Sequence, residues 1–225
     1  MIVLDKRLKT VYDMLPSCDT VADIGTDHGR LGCALLKDGK CKTVMFTDIS
    51  APSLNKAREL VKKLELTDSS MFFVGNGVNC LPCAPDCCVI AGMGGNTICE
   101  ILKTSQLDTA SIEWVLQPNT DAHILRGELK KLRLAISDEK LIYDSKWYTV
   151  IKAAKGNADY SMRELYAGPC LLRAHSPELK AYALKRINDI EKAMQAAAKM
   201  KSHPMAGDIK QEYAVWKELV STYEG

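Results

Sequence analysis

The chain holds 225 residues, 47% hydrophobic and 26% charged, with a formal net charge of +2. Such a composition belongs to a soluble globular protein of one moderate domain plus an appendage, and no apolar run approaches the roughly 20 residues that span a bilayer. The start, Met1-Ile-Val-Leu-Asp-Lys-Arg7, meets charge too early for a signal peptide, so a cytoplasmic location is expected.

An apolar strand over residues 20–25 opens the regular part of the chain, and the segment Val21-Ala-Asp-Ile-Gly-Thr-Asp-His-Gly29 leads out of it. Gly25 has no Cβ, so the backbone can turn sharply there and let a ligand sit against it. The helix that follows, 29–38, points its free N–H groups at that ligand. A strand feeding such a turn holds adenosine-containing cofactors in doubly wound α/β proteins. A dinucleotide fingerprint would read G-x-G-x-x-G and bring a pyrophosphate onto the helix. This chain has only Gly25-x-x-x-Gly29, with a carboxylate at Asp27 that would repel a pyrophosphate. Asp23 and Asp27 suit instead a cofactor with a cationic amine or sulfonium, such as S-adenosylmethionine. The plainer alternative is a strand-to-helix turn with no ligand.

A strand at 43–48 and a helix at 52–66, with Pro52 in its first turn, repeat the unit. Asp48 ends that strand, where a carboxylate can accept both ribose hydroxyls of an adenosine moiety. Ser50 and Ser53 are better placed than Asp48 to cap the helix. Strand 71–76 ends in Gly75-Asn-Gly77. Asn76 offers a donor and an acceptor to an adenine edge, although Asn-Gly is also a common turn. The nine cysteines are expected to be mostly small buried hydrophobes. Cys80-x-x-Cys83 and Cys87-Cys88 have a zinc-like look, but the latter pair opens an apolar strand and alternates between its faces, so no metal is expected. Strand 87–92 ends in Ala91-Gly-Met-Gly-Gly95, where the glycines let two ligands approach the backbone. A helix at 97–106 and a strand at 112–117 follow. Gln117-Pro-Asn119 ends that strand, with Asn119 free to cap helix 121–132 or to reach into the pocket. All five loops fall at the carboxyl ends of predicted parallel strands, the edge where such sheets bind ligands.

The rhythm changes at two strand-like runs, 134–143 and 147–153, joined by Asp144-Ser-Lys146 with no room for a helix. They read as a hairpin that adds an antiparallel strand. The fold expected is therefore α/β, a class I (Rossmann-like) methyltransferase sheet, mainly parallel with a terminal antiparallel strand. After Gly168-Pro169 a helix over 177–201 carries Leu179, Ala183, Arg186, Ile190, Ala193 and Ala197 on one stripe. A second helix carries Ile209, Tyr213, Trp216, Val220 and Tyr223, with a break at Ser202-His-Pro204. This predicts an antiparallel, coiled-coil-like helical hairpin. The expected division is residues 1–172 for the sheet domain and 173–225 for the hairpin. The latter holds nine basic and seven acidic side chains, and so the whole positive surplus.

Leu4-Asp-Lys-Arg-Leu8, Ala22-Asp-Ile-Gly-Thr-Asp-His28, Ile90-Ala-Gly-Met-Gly-Gly95 and Leu116-Gln-Pro-Asn119 together resemble the bacterial TrmK family, over essentially the whole chain. That resemblance implies a tRNA (adenine-22-N1)-methyltransferase that uses S-adenosylmethionine. The cofactor contacts expected are Asp23, Gly25, Thr26, Asp27, His28, Gly29, Asp48, Ile49, Asn76, Gly77, Gly92, Met93 and Gly94. Asp27, and after it Asn119, are the candidates to accept a hydrogen bond from the adenine N6 amino group. Arg7, Lys9, Arg30, Arg126, Lys130 and Lys131 are the candidates to hold tRNA. Where the family often has a small residue and an aromatic after Asp27-His28, this chain has Gly29-Arg30, so a stacking role would fall to Arg30 or move elsewhere. A monomer is expected. A small-molecule methyltransferase and a non-catalytic tRNA-binding protein are the competing readings.

Overall fold

The computed structural model describes residues 2–199 and 207–223. Two compact units divide the chain, Met1–Asp159 and Tyr160–Gly225. The division falls earlier than the expected one after residue 172, because two short helices precede the long one.

The first unit opens with α1 (Lys6–Met14), a helix ahead of the strand expected to open the regular part of the chain. Its logic is local. The Asp5 side chain accepts a hydrogen bond from the Leu8 N–H at 2.7 Å and so caps the first turn. Val11 and Met14 then bury the inner face. The elements that follow are β1 (Cys18–Ile24), α2 (Arg30–Lys37), β2 (Cys41–Asp48), α3 (Ala51–Lys63), β3 (Ser70–Val74) and β4 (Cys87–Met93). After them come α4 (Gly95–Lys103), β5 (Glu113–Pro118), α5 (Ala122–Lys131), β6 (Leu134–Asp144) and β7 (Lys146–Lys155). The alternation read from the sequence is thus present, with boundaries moved by a few residues.

Seven strands form one sheet in the order β3-β2-β1-β4-β5-β7-β6. β1 pairs in parallel with β2 on one side and β4 on the other, so the strand order reverses beside β1. A crevice opens at such a switch point, outside the carboxyl ends of the strands. β7 runs antiparallel to both β5 and β6. The expected hairpin therefore inserts its second strand between β5 and its first, turning at Ser145. The central strands are apolar along their length because helices cover both faces: Val21, Val44, Phe46, Val89, Ile90, Val115 and Leu116 are all fully buried. Phe46 stacks on Phe72 with ring centroids 5.1 Å apart. Ser50 caps α3 by accepting from the Ser53 N–H at 3.3 Å, as the sequence suggested.

Cys87 and Cys88 are buried, as are Cys33, Cys41, Cys99 and Cys170, and all nine cysteines are free thiols. Burial pushes the Cys33 and Cys41 thiols up to about 12, so they stay protonated and act as small hydrophobes.

The second unit contains α6 (Met162–Ala167), α7 (Pro169–Arg173), α8 (Pro177–Lys199) and α9 (Gly207–Ser221). Ser161 and Glu164 form a reciprocal capping box at the start of α6. α8 and α9 run antiparallel: Tyr182 meets Trp216 edge-on at 5.4 Å, and one turn further Arg186 reaches Glu212 at 2.6 Å. Their seam departs from the expected stripe. Ile187 joins Leu179, Ala183 and Ile190 in the interior, while Ala193 is exposed and Arg186 is half-buried. In α9, Val215 and Leu219 join Trp216 and Val220. The expected break at Ser202-His-Pro204, and the side chain of Ala197, lie outside the described residues. Among the described residues, no helix is long and apolar enough to cross a membrane.

Candidate functional site

At the carboxyl ends of β1, β2 and β4 lies a crevice of about 470 Å³. Asp23, Gly25, Thr26, Asp27 and His28 line it from the first loop, Asp48 and Ile49 from the second, and Ala91, Gly92 and Met93 from the fourth. Asp5 reaches it from the N-cap of α1, Arg7 and Leu8 from that helix, and Arg30 and Leu31 from the start of α2.

The turn after β1 explains its own sequence. Gly25 and Thr26 donate their N–H groups to the Thr47 carbonyl at 2.8 and 2.9 Å, which bends the chain tightly over the end of β2. Gly25 holds a left-handed φ of +71°, and a Cβ there would lie 2.2 Å from Met93 Cε. Any other residue would strain the backbone and crowd the crevice floor. Asp27 is also left-handed, with φ of 49°. Aspartate tolerates that region better than most residues. The turn aims the Asp27 N–H at Asp48 Oδ2, 3.2 Å away, while the Ser50 N–H holds Asp48 Oδ1 at 2.8 Å. The Asp48 carboxylate is therefore fixed, with lone pairs on both oxygens left over.

Asp23 is only 5% exposed, and its Oδ2 accepts from Thr26 Oγ1 at 2.7 Å. Burial pushes its carboxyl up to about 6, opposed by hydrogen bonds from Thr26 and the Gly32 N–H, while nearby Asp48 adds to the rise. At neutral pH it is still mainly ionised. His28 Nε2 stands 3.5 Å from Asp27 Oδ2, both side chains more than half exposed. Four carboxylates, those of Asp5, Asp23, Asp27 and Asp48, thus border one space.

A second network braces the β4 end. Gln117 is fully buried, and its Oε1 accepts from Arg7 Nη1 at 2.7 Å and from the Gly92 N–H at 3.1 Å. Its Nε2 donates to Asn119 Oδ1 at 3.2 Å, and Asn119 Nδ2 donates to the Gly92 carbonyl at 2.6 Å. Arginine can only donate, so its bond to Oε1 fixes which way the Gln117 amide faces, and Asn119 in turn. Asn119 is exposed and does not cap α5: Asp121 stands at that N-cap. Nor does Asn119 line the crevice.

Other expected contacts fall elsewhere. Gly29 is buried behind the turn, where a Cβ would come 2.8 Å from Ala57 Cβ. Gly77 packs on Ile101 in the same way, and Asn76 and Gly94 also lie off the crevice lining. Lys9 pairs with Asp13, Lys130 with Asp159, and Lys131 with Glu128 at 3.1 Å. Arg126 requires a correction. It is 2% exposed and bonds Glu139 at 2.7 Å in the interior, so it cannot touch a phosphate at the surface. The sequence reading missed Asp5, Leu8, Leu31 and Ala91 as lining residues, and α1 as the element presenting two of them. An aspartate followed by apolar residues at Leu8, Val11 and Leu15 is the helical signal that would have found it. Among the described residues, no group of three or more His, Cys, Asp or Glu side chains could hold a metal ion.

Residues 4–151 match a protein family described as a methyltransferase domain. The tRNA (adenine(22)-N(1))-methyltransferase of Bacillus subtilis (strain 168) is 31% identical, over 98% of this chain and 94% of that protein. The structure of M. capricolum TrmK in complex with the natural cofactor product S-adenosyl-homocysteine is 25% identical, with a TM-score of 0.82 over 97% of this chain and 98% of that one. The B. subtilis M1A22 tRNA methyltransferase TrmK shares the fold with a TM-score of 0.81, at 24% identity over 100% of this chain and 98% of that one.

Proposed function

The chain belongs to the bacterial TrmK family of methyltransferase-domain proteins, and on that footing we propose that it methylates N1 of an adenine in tRNA, position 22, from S-adenosylmethionine. The observation that carries the reading is the crevice at the switch point, with its glycine turn and its ring of carboxylates. That donor set fits a cationic cofactor and disfavours a pyrophosphate. S-adenosylmethionine, when bound, supplies a methyl group on a positively charged sulfur.

The side chains divide the work. Asp48, held by two backbone donors, receives ribose hydroxyls with its remaining lone pairs. Asp23 and Asp27 attract positive charge, and Gly25, Thr26, Ile49, Gly92 and Met93 shape the walls. Adenine N1 carries a lone pair at neutral pH, so no residue has to deprotonate it. The protein's task is to receive a base that has left its stack, at a cost of a few kcal/mol, and to hold it in line. Alignment of that kind is worth roughly 7–11 kcal/mol of barrier. Asp27 accepts from the N6 amino group, which raises electron density at N1 and stabilises the cationic product. Asn119, its amide engaged by Gln117 and Gly92, acts by bracing the Gly92 loop. The transfer belongs to the unit ending at Asp159. We place the protein in the cytoplasm as a monomer, the setting that fits a tRNA substrate and nine free thiols.

Incubating tRNA with labelled S-adenosylmethionine and mapping the modified nucleoside tests the reading. N1-methyladenosine is expected, and label confined to another nucleoside, or absent from RNA, contradicts it. The Asp27→Asn variant keeps a residue that tolerates the left-handed turn. At saturating cofactor it should lose at least tenfold in single-turnover rate, beyond any loss of cofactor affinity that follows from its charge.

A further inference from the structure

We propose that a second groove, beside the crevice, carries the RNA strand that leads to the target adenine, with Lys56 and Lys63 gripping its phosphates. The inference rests on the tRNA methylation proposed above and assigns a surface to it. The groove has a volume of about 490 Å³. His28 and Arg30 line both it and the crevice, so the two spaces adjoin. Lys56, Leu60 and Lys63 face it from α3, and Val3 faces it from the N-terminal segment. Positions 56, 60 and 63 recur at helical spacing and so share one face of that helix.

Charge separates the two spaces. Four carboxylates outnumber two arginines, Arg7 and Arg30, around the crevice, whereas no carboxylate lines the groove, whose walls carry two lysines and the shared Arg30. Phosphates are repelled by the first and attracted by the second. An extruded adenine is uncharged and can enter the acidic crevice, whereas the backbone on either side of it cannot follow. It must leave over a surface that is basic and adjoining. Lys56 and Lys63 are exposed, and among the described residues neither pairs with a carboxylate, so both ammonium groups are available. Arg30 is anchored by donating to the Val3 carbonyl, which fixes its guanidinium at the junction of the two spaces. Val3, 72% exposed, and Leu60 offer apolar surface. Single-stranded nucleic acid is held by cations that track its backbone, and Val3 and Leu60 leave apolar surface beside them for a sugar or base.

The test is a Lys56→Glu/Lys63→Glu double variant of the full chain, compared with Lys62→Glu, an exposed control on the same helix. The readouts are tRNA binding against salt, single-turnover methylation against tRNA concentration, and S-adenosylmethionine affinity. The double variant should raise the tRNA half-saturation at least tenfold and flatten the log–log salt slope by about 1.4, the value for two lost phosphate contacts on a single strand. Its cofactor affinity should match the parent's. A double variant that binds tRNA like the Lys62→Glu control overturns the proposal. So does a loss confined to cofactor affinity, which would make the groove part of the cofactor site. Failure of the functional reading looks different: the parent protein itself would then methylate no tRNA.

Discussion

Asp23 and Asp27 stand four residues apart and meet opposite conditions. Asp27 is exposed on a left-handed turn, whereas Asp23 is buried and bonded to Thr26. Both stand at the end of the first apolar strand, Asp23 within it and Asp27 in the turn beyond, and the pattern of residue types does not tell which is desolvated. Burial raises the Asp23 carboxyl from 3.8 to about 6. The folded protein therefore binds this proton more readily than the unfolded chain does. The contribution of Asp23 to stability is greatest below the unfolded value and falls as pH rises through about 6. The shift is worth about 3 kcal/mol to order of magnitude. Urea unfolding across that window should show the parent losing stability relative to Asp23→Asn as pH rises, with the difference levelling off above it. Cofactor affinity should move the other way, weakening in the parent as Asp23 is protonated, and depending less on pH in the variant. A parallel pair of stability curves would remove Asp23 as a titrating group.

At the level of elements, periodicity found what it can find. The βα units and the β6–β7 hairpin were legible because strands buried on both faces and helices buried on one leave different spacings in the chain. α1 was not, since its short apolar face, buried only at Val11 and Met14, is interrupted by Lys6, Arg7 and Lys9. Long-range polar pairing was also invisible. Arg126 sits among basic residues on α5, and nothing local reveals that Glu139 on β6 meets it inside the protein. Arg126→Ala should destabilise the fold by about 3–5 kcal/mol, because it leaves a carboxylate buried without its guanidinium. The salt slope of tRNA binding by the folded variant should match the parent's. A variant of unchanged stability whose tRNA binding is less salt-dependent would return Arg126 to the RNA surface. The same limit applies to Asn119, whose bonds to Gln117 and Gly92 depend on two strands meeting side by side.

Across the whole molecule, a net charge of +2 conceals a strong local contrast. Acidic groups gather where the sheet's strand order reverses, and basic groups line the neighbouring groove. The sheet topology makes most of the first cluster, because β1 and β2 end side by side and bring Asp23, Asp27 and Asp48 together, while Asp5 joins them from the start of α1. The groove draws instead on the N-terminal segment and α3, which lie far apart in sequence, and so no single motif announces it. The central claim is that the acidic crevice seats a positively charged methyl donor. Calorimetric titration of S-adenosylmethionine into the folded protein at neutral pH addresses it directly. One saturable site per chain is expected, weakened at least tenfold in Asp48→Ala. No heat of binding from correctly folded protein, or an affinity indifferent to Asp48, would contradict the account.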